Sequence, residues 1–181
     1  MIKRSEVKRA QERAFAMIRR AGIPVRDEEK AAIAAADFGL SRLEEFGAEI
    51  LTLVETGRYG AKIIVLFPGQ ILPEHWHPPV GDDPGKEETI RAAWGDLYLF
   101  TEGPDTMRRG RIPAGSEPAF ICRRELVMAP GDQITFRPGE KHWFQGGPEG
   151  AVLYSFSSVV RDTLDGFTDP GVVRTTKIVE D

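Results

Sequence analysis

The stretch Gly69-Gln70-Ile71-Leu72-Pro73-Glu74-His75-Trp76-His77, followed by Glu88 and Gly95, decides the reading of this chain, and Pro138-Gly139-Glu140-Lys141-His142 completes it. The sequence holds 3 histidines, and all of them fall in these two segments. Side chains alternate between faces in extended backbone, so His75 and His77 point the same way and can share one ion. Two imidazoles leave a metal under-coordinated. A later strand carrying His142, with a carboxylate such as Glu88, supplies three nitrogens and one oxygen. In octahedral geometry that set leaves about two positions for water or substrate oxygens.

Outward from these motifs, short runs rich in Val, Ile, Leu, Phe and Tyr begin near Glu49 and are separated by Gly and Pro. They are Lys62 to Phe67, Asp96 to Phe100, Phe120 to Met128, Gln133 to Phe136 and Ala151 to Phe156. Close spacing without intervening helices predicts an antiparallel sandwich or barrel. Residues 1–48 read differently. Val7, Ala10, Ala14, Met17, Ile18 and Ala21 recur at helical spacing after Ser5 as N-cap, and Gly22 and Pro24 stop the pattern. The acidic triplet Asp27-Glu28-Glu29 opens a second, Ala-rich helical run through Ala36, ended by Gly39. The expected organisation is an N-terminal helical segment, 1–48, packed on a barrel, 49–181, within one structural domain. From Thr163 onward an ordered loop precedes a short strand or tail.

At 181 residues the chain buries a substantial core without staples. A formal charge of -4 offers no broad attraction to nucleic acid or to an anionic membrane, so neither is an expected partner. The single cysteine, Cys122, has no disulfide partner in the chain and suits a reducing compartment. The first residues lack an apolar leader, and no run approaches the ~18 apolar residues of a membrane span. The expected location is the cytoplasm.

Both motifs resemble those of the cupin superfamily, small double-sheet jelly rolls that hold a metal inside the barrel. Gly69, five residues, His75-x-His77, then Glu88, six residues, Gly95 fits the first cupin motif at both ends, with a longer interval from His77 to Glu88 than is usual. Pro138-Gly139-x-x-His142 fits the second, although Gly146 stands where an asparagine is usual and Gly131 sits one residue too far from the proline. A narrower resemblance accounts for the long interval. Leu66-Phe67-Pro68-Gly69-Gln70, Pro73 through Pro79, Gly85-Lys86-Glu87-Glu88-Thr89, Lys141-His142-Trp143-Phe144-Gln145 and Phe167-Thr168-Asp169-Pro170 are similar to the D-lyxose ketol-isomerase family of cupins. The similarity runs from a helical Asp37-Phe38-Gly39-Leu40 segment to the Thr-Asp-Pro tail.

Carried over by position, the resemblance implies a mainly β cupin fold, a double-stranded β-helix with N-terminal helices. It implies a divalent metal on His75, His77, Glu88 and His142, typically manganese, although such donors also accept Fe, Co, Ni and Zn. The implied substrate is an unphosphorylated aldose: D-lyxose to D-xylulose, with D-mannose to D-fructose as a second conversion. One departure stands out. Where the family carries a glutamate on the last barrel strand, an acid/base position, this chain has Ser155-Phe156-Ser157-Ser158.

Aldose to ketose conversion by way of an enediol needs an electrophile at the carbonyl and a group that moves the C2 proton. Lys86, two residues before Glu88, shares its face in extended backbone and is the first candidate, its pKa expected to fall beside another cation. Lys62, Glu74, Tyr98, Phe144, Ser155, Asp162, Phe167 and Asp169 are candidates for contact with the sugar. Glu74 is expected on the opposite face from His75, and Asp162, Asp165 and Asp169 at the cavity mouth. The Arg108, Arg109, Arg111 and Arg123, Arg124 groups read as a solvated face, and Cys122 as buried filler. Two other classes compete: a dioxygenase, since three histidines and a glutamate also suit Fe(II), and a non-catalytic sugar-binding cupin. Edge strands and the amphipathic helix make a homodimer the expected assembly.

Overall fold

A computed structural model describes residues 1–181. Its elements are β1 (Ile2–Lys3), α1 (Arg4–Arg20), β2 (Ala34–Ala36), β3 (Ala48–Glu55), β4 (Tyr59–Leu66), β5 (Ile71–Trp76) and β6 (Glu88–Thr101). After these come β7 (Arg124–Met128), β8 (Gln133–Phe136), β9 (His142–Ser158), β10 (Gly166–Phe167) and β11 (Ile178–Val179). The mainly β jelly roll read from the sequence is the fold observed.

Its frame is the antiparallel ribbon of β6 and β9, paired from Glu88↔Ser157 to Thr101↔His142. The second half of β9 takes β4 on its other side, while the first half takes β5. The sheet therefore curls into two faces, one running β2-β3-β4-β9-β6-β8 and the other β10-β5-β9-β6-β7. The bend falls where Gly95 meets Gly150. A Cβ on Gly95 would lie 2.2 Å from the Gly150 carbonyl oxygen, and its φ of 72° favours glycine. Gly146, in place of the usual asparagine, has a comparable reason: a Cβ there would lie 2.4 Å from the Phe67 carbonyl oxygen.

Inside the curl, Ile64, Leu66, Ile90, Leu97, Leu99 and Leu153 form the main core. Outside it, α1 lays Val7, Ala10, Ala14 and Ile18 over Leu51, Ile63, Val65 and Val152. These positions, three and four apart, form one apolar stripe, and full burial of Ile18 alone is worth about 1.5–3 kcal/mol. A third cluster fills the outer face of the other sheet, where Phe100 stacks on Trp143 at 3.7 Å and Trp143 Nε1–H donates to the Cys122 carbonyl (2.8 Å).

Four local expectations are corrected. The helix starts at Arg4 with Lys3 as N-cap residue, because β1 pairs with β11 and fixes the chain up to Lys3; Ser5 bonds Asp181 instead. The Ala-rich second helix is a short 3-10 turn, Asp27–Ala32, followed by β2. Ala34, Ala35 and Ala36 are zipped to β3, so tertiary pairing overrides alanine's helix preference. Asp37-Phe38-Gly39-Leu40 is a turn, with Phe38 at φ 51° and the Asp37 carboxylate accepting from the N–H groups of Gly39 and Ser41. The strand expected from Phe120 begins only at Arg124, since Phe120 and Cys122 pack into the outer cluster. The boundary expected at residue 48 lies inside the sheet, with β2 bonded to β3 across it. No helix is long and apolar enough to cross a membrane.

Candidate metal centre

His75 and His142 stand directly opposite each other on β5 and β9. A register shift between Leu72 and His75 turns both of those residues to the interior. His77 follows the end of β5. Glu88 opens β6 on the face shared with Ile90 and Ala92. One donor atom from each of His75, His77, Glu88 and His142 lies within 4.8 Å of the others, and all four residues are buried. Two metal–ligand bonds of ~2.1 Å span up to ~4.2 Å, so this spacing is close to that of a coordination shell.

The ring orientations agree. Nδ1 of His75 faces the Pro73 carbonyl and Nδ1 of His142 that of Glu140, each at 2.9 Å, while His77 Nδ1 faces Asp165 Oδ1 at 2.8 Å. Every histidine is thereby held by Nδ1, which turns Nε2 toward the group. His77 Nε2 lies 3.0 Å and His142 Nε2 3.8 Å from Glu88 Oε2. His142 Nε2 is buried and has no hydrogen-bond partner, a loss of about 1–3 kcal/mol unless the lone pair binds something. An orphaned, inward-facing lone pair among three other donors fits a divalent ion.

Charge supports the same arrangement. Burial pushes His75 well below the usual histidine range, helped by His142 and His77, and pushes His142 down to about 4. Both rings are neutral near pH 7, as ligation requires. Burial also lowers His77, but Asp165 and Glu88 outweigh it and the net shift is upward. Burial raises Glu88, yet Lys86, His77 and His142 hold it well below the usual carboxylate range.

Next to this group lies a cavity walled by Phe38, Ile50, Phe144 and Phe167 and lined by Lys62, Lys86, Asp162, Asp165 and Arg174. Asp162 is its hub: Lys62 donates to Oδ2, Lys86 to Oδ1 at 3.1 Å, and Arg174 to Oδ2 at 3.1 Å. Burial pushes the Lys86 ammonium down, but Glu88, Asp162 and Asp165 together raise it. The depressed lysine expected from the sequence is corrected on that ground: three carboxylates surround it.

Of the residues proposed for sugar contact, Lys62, Phe144, Asp162 and Phe167 line the cavity, as does Lys86. Ser155, buried, donates to Glu88 Oε1 and so braces the carboxylate of the metal group. Glu74 faces away from the histidines; its carboxylate accepts from the Cys122 N–H (2.7 Å) and from Thr168 Oγ1. Tyr98 lies outside the cavity in the outer cluster. The register shift at Ala92/Trp94 adds one residue to β6 and exchanges its faces, which puts Leu97 and Leu99 inside and Tyr98 out. Asp169 accepts from the Gly171 N–H at 2.7 Å and closes its own turn. Arg109 and Arg111 border a separate groove with Tyr98 and Gln145. Sequence reasoning missed Arg174, which carries no motif, the place of Phe38 in the cavity wall, and the contact of Asp165 with His77.

Fold and site together define a cupin barrel with a buried group suited to a divalent ion. A model of the D-lyxose isomerase family matches residues 32–181, and the chain belongs to that family. It is 48% identical over 171 residues to a D-lyxose ketol-isomerase from Cohnella laeviribosi, covering 94% of each chain. It is 46% identical over 179 residues to a D-lyxose/D-mannose isomerase from Thermosediminibacter oceani, covering 98% of this chain and 99% of the relative. Its fold is also that of L-ribose isomerase from Cellulomonas parahominis solved with no ligand, with a TM-score of 0.82, 16% identity and 98% of each chain covered.

Proposed function

We propose that this protein interconverts D-lyxose and D-xylulose, and D-mannose and D-fructose, by metal-assisted proton transfer through an enediol. The observation that carries this reading is the buried His75, His77, Glu88 and His142 group, with its orphaned His142 nitrogen, opening onto a cavity that holds Lys62, Lys86 and Asp162. A divalent ion on these donors, manganese in our reading, supplies Lewis acidity to the carbonyl and hydroxyl oxygens of an aldose.

The chain's own residues supply the rest. Lys86, kept as an ammonium by its carboxylate neighbours, donates to the oxygen on which negative charge builds. Asp162 is the proposed base: once the sugar displaces its lysines it takes the C2 proton and, after that proton exchanges with solvent, delivers one to C1 on the same face. Lys62 orients the sugar hydroxyls beside it, and Phe144 and Phe167 wall the pocket. Ser155, bonded to Glu88, leaves the acid/base role of the missing glutamate to this Lys86–Asp162 pair. We further propose a homodimer in the cytoplasm; Tyr59 and Phe156 stand exposed on the outer sheet face, and the lone Cys122 is buried as a free thiol.

The test is a panel of pentose and hexose aldoses with metal-stripped protein reconstituted with each divalent ion, run in D2O. D-Xylulose formed from D-lyxose with solvent deuterium at C1 is expected. No turnover of any aldose with any ion overturns the reading, and ketose formed without deuterium redirects it from an enediol to a hydride shift. Lys86→Gln and Asp162→Asn should each lower kcat by about 10²–10⁴-fold.

A further inference from the structure

The turn from Arg161 to Asp165 closes over the cavity, and nearly everything that fastens it is ionic. Arg161 pairs with Asp83 at 3.1 Å, Asp162 with Lys62, Lys86 and Arg174, and Asp165 with His77. Its one large apolar side chain, Leu164, is half exposed and anchors little. The segment that follows is fixed differently. Gly166 and Phe167 pair with Trp76 and His75, and Thr168 N–H donates to the Glu74 carbonyl at 3.2 Å. The chain therefore has a firm hinge at 166–168 and a turn before it held by charge.

With this turn closed the cavity offers a volume of ≈ 30 Å³, room for about two water molecules and too little for a pentose. The turn must lift or its side chains must swing aside for a sugar to enter.

Of the three histidines, two are oriented by the backbone carbonyl two residues before them, Pro73 and Glu140. Only His77 depends on a side chain from elsewhere, Asp165, whose carboxyl side chain is 8% exposed and which lies 88 residues away along the chain. A carboxylate that takes the Nδ1 proton fixes the tautomer and the ring angle that present Nε2 to an ion, and it raises the basicity of that nitrogen. The converse holds as well. An ion on Nε2 makes Nδ1–H a stronger donor and tightens the hold on Asp165.

We propose that Asp165 is a positioning residue through which ion binding at His77 and closure of the Arg161 to Asp165 turn are coupled. The proposal rests on the metal-site reading given above. Because coupling between two equilibria is reciprocal, the factor by which the closed turn strengthens ion binding equals the factor by which the ion favours closure. The metal-loaded protein therefore keeps its sugar cavity shut until substrate enters, and the stripped protein leaves the turn loose.

The experiment uses Co2+ as a spectroscopic probe and Mn2+ in competition with a chromophoric chelator, on the full chain and on Asp165→Ala and Asp165→Asn. Alongside, hydrogen exchange is followed for the amides of Leu164 and Asp165, which bond to Arg161 and Asp162 within the turn. The expected results are a 10–100-fold loss of affinity in Asp165→Ala with an altered Co2+ spectrum, and a smaller loss in Asp165→Asn, which keeps an acceptor oxygen. In the unaltered protein the ion should slow exchange in the turn by a similar factor, and in Asp165→Ala it should not. Affinity changed by less than about twofold in Asp165→Ala, or turn protection by the ion that survives in that variant, overturns the coupling while leaving the metal site standing. An unaltered protein that binds neither ion overturns both. If Asp165→Ala does not fold, Asp165→Asn carries the test through its affinity and exchange together.

Discussion

Asp162→Ala removes the one carboxylate shared by Lys62, Lys86 and Arg174. Lys86 keeps Glu88 and Asp165 as neighbours, but Lys62, whose side chain is 7% exposed, is left as a buried cation with no ion-pair partner. Removing one member of a buried pair costs about 3–5 kcal/mol. The side chains of Asp162 and Arg174 are 19% and 20% exposed, so water relieves part of the imbalance and the lower end, about 3 kcal/mol, is expected. For a chain of this size that corresponds to a fall in Tm of roughly 6–12 °C. The sign of the pH dependence follows from the direction of the shift. Lys86, Lys62 and Arg174 outweigh burial and hold Asp162 well below the usual carboxylate range, so its contribution is complete above about pH 4 and is lost as pH falls below it. Denaturant unfolding of metal-stripped Asp162→Ala, Lys62→Met and the double variant measures the argument. Lys62→Met should rescue part of the loss, with a coupling of about 1–3 kcal/mol. A single Asp162→Ala variant within about 0.5 kcal/mol of the unaltered protein, or strict additivity with Lys62→Met, would refute the reasoning.

The remaining predictions concern positions outside the reaction. Glu49 is fully buried, with Oε1 accepting from Gln70 Nε2 at 3.2 Å and Oε2 unpaired, and burial pushes its pKa well above the usual range. The unfolded chain releases this proton from about pH 4.5 while the folded chain keeps it, so Glu49 erodes stability as pH rises. Glu49→Gln should gain on the unaltered protein by up to about 1.4 kcal/mol per pH unit above that point, until the folded pKa is passed. Unfolding curves between pH 5 and 8 that stay parallel would contradict it. Gly146→Ala forces a Cβ to within 2.4 Å of the Phe67 carbonyl oxygen and should cost about 1–3 kcal/mol, read from the thermal midpoint. An unchanged midpoint would show that the ribbon yields there.

The clustering of His75, His77, Glu88 and His142 was legible in the sequence because it follows from strand geometry. Alternation in extended backbone puts His75 and His77 together, and the pairing of β5 with β9 brings His142 opposite His75. The jelly roll was legible for the same reason, from short alternating runs with glycines at the bends. What escaped depends on long-range folding. Alanine favours a helix locally, yet Ala34, Ala35 and Ala36 complete a sheet edge. Tyr98 lies outside because the bulge at Ala92/Trp94 reverses the parity that a straight β6 would have. Asp162 and Asp165 were expected at the cavity mouth, but the bond of Asp165 to His77 and the arrival of Arg174 escaped, because this C-terminal segment has little regular structure and no periodicity sets its side-chain directions. The raised ammonium of Lys86 could not be foreseen either, since two of its three carboxylate neighbours come from that segment.

The most direct test of the account is a titration of metal-stripped protein with Mn2+ that follows conversion of D-lyxose to D-xylulose, compared with His142→Ala. Activity should be absent in the stripped protein, rise to a plateau at one ion per chain, and stay absent in His142→Ala at the same ion concentrations. Full turnover in stripped protein held in excess chelator, or a His142→Ala variant that titrates like the unaltered chain, would contradict it.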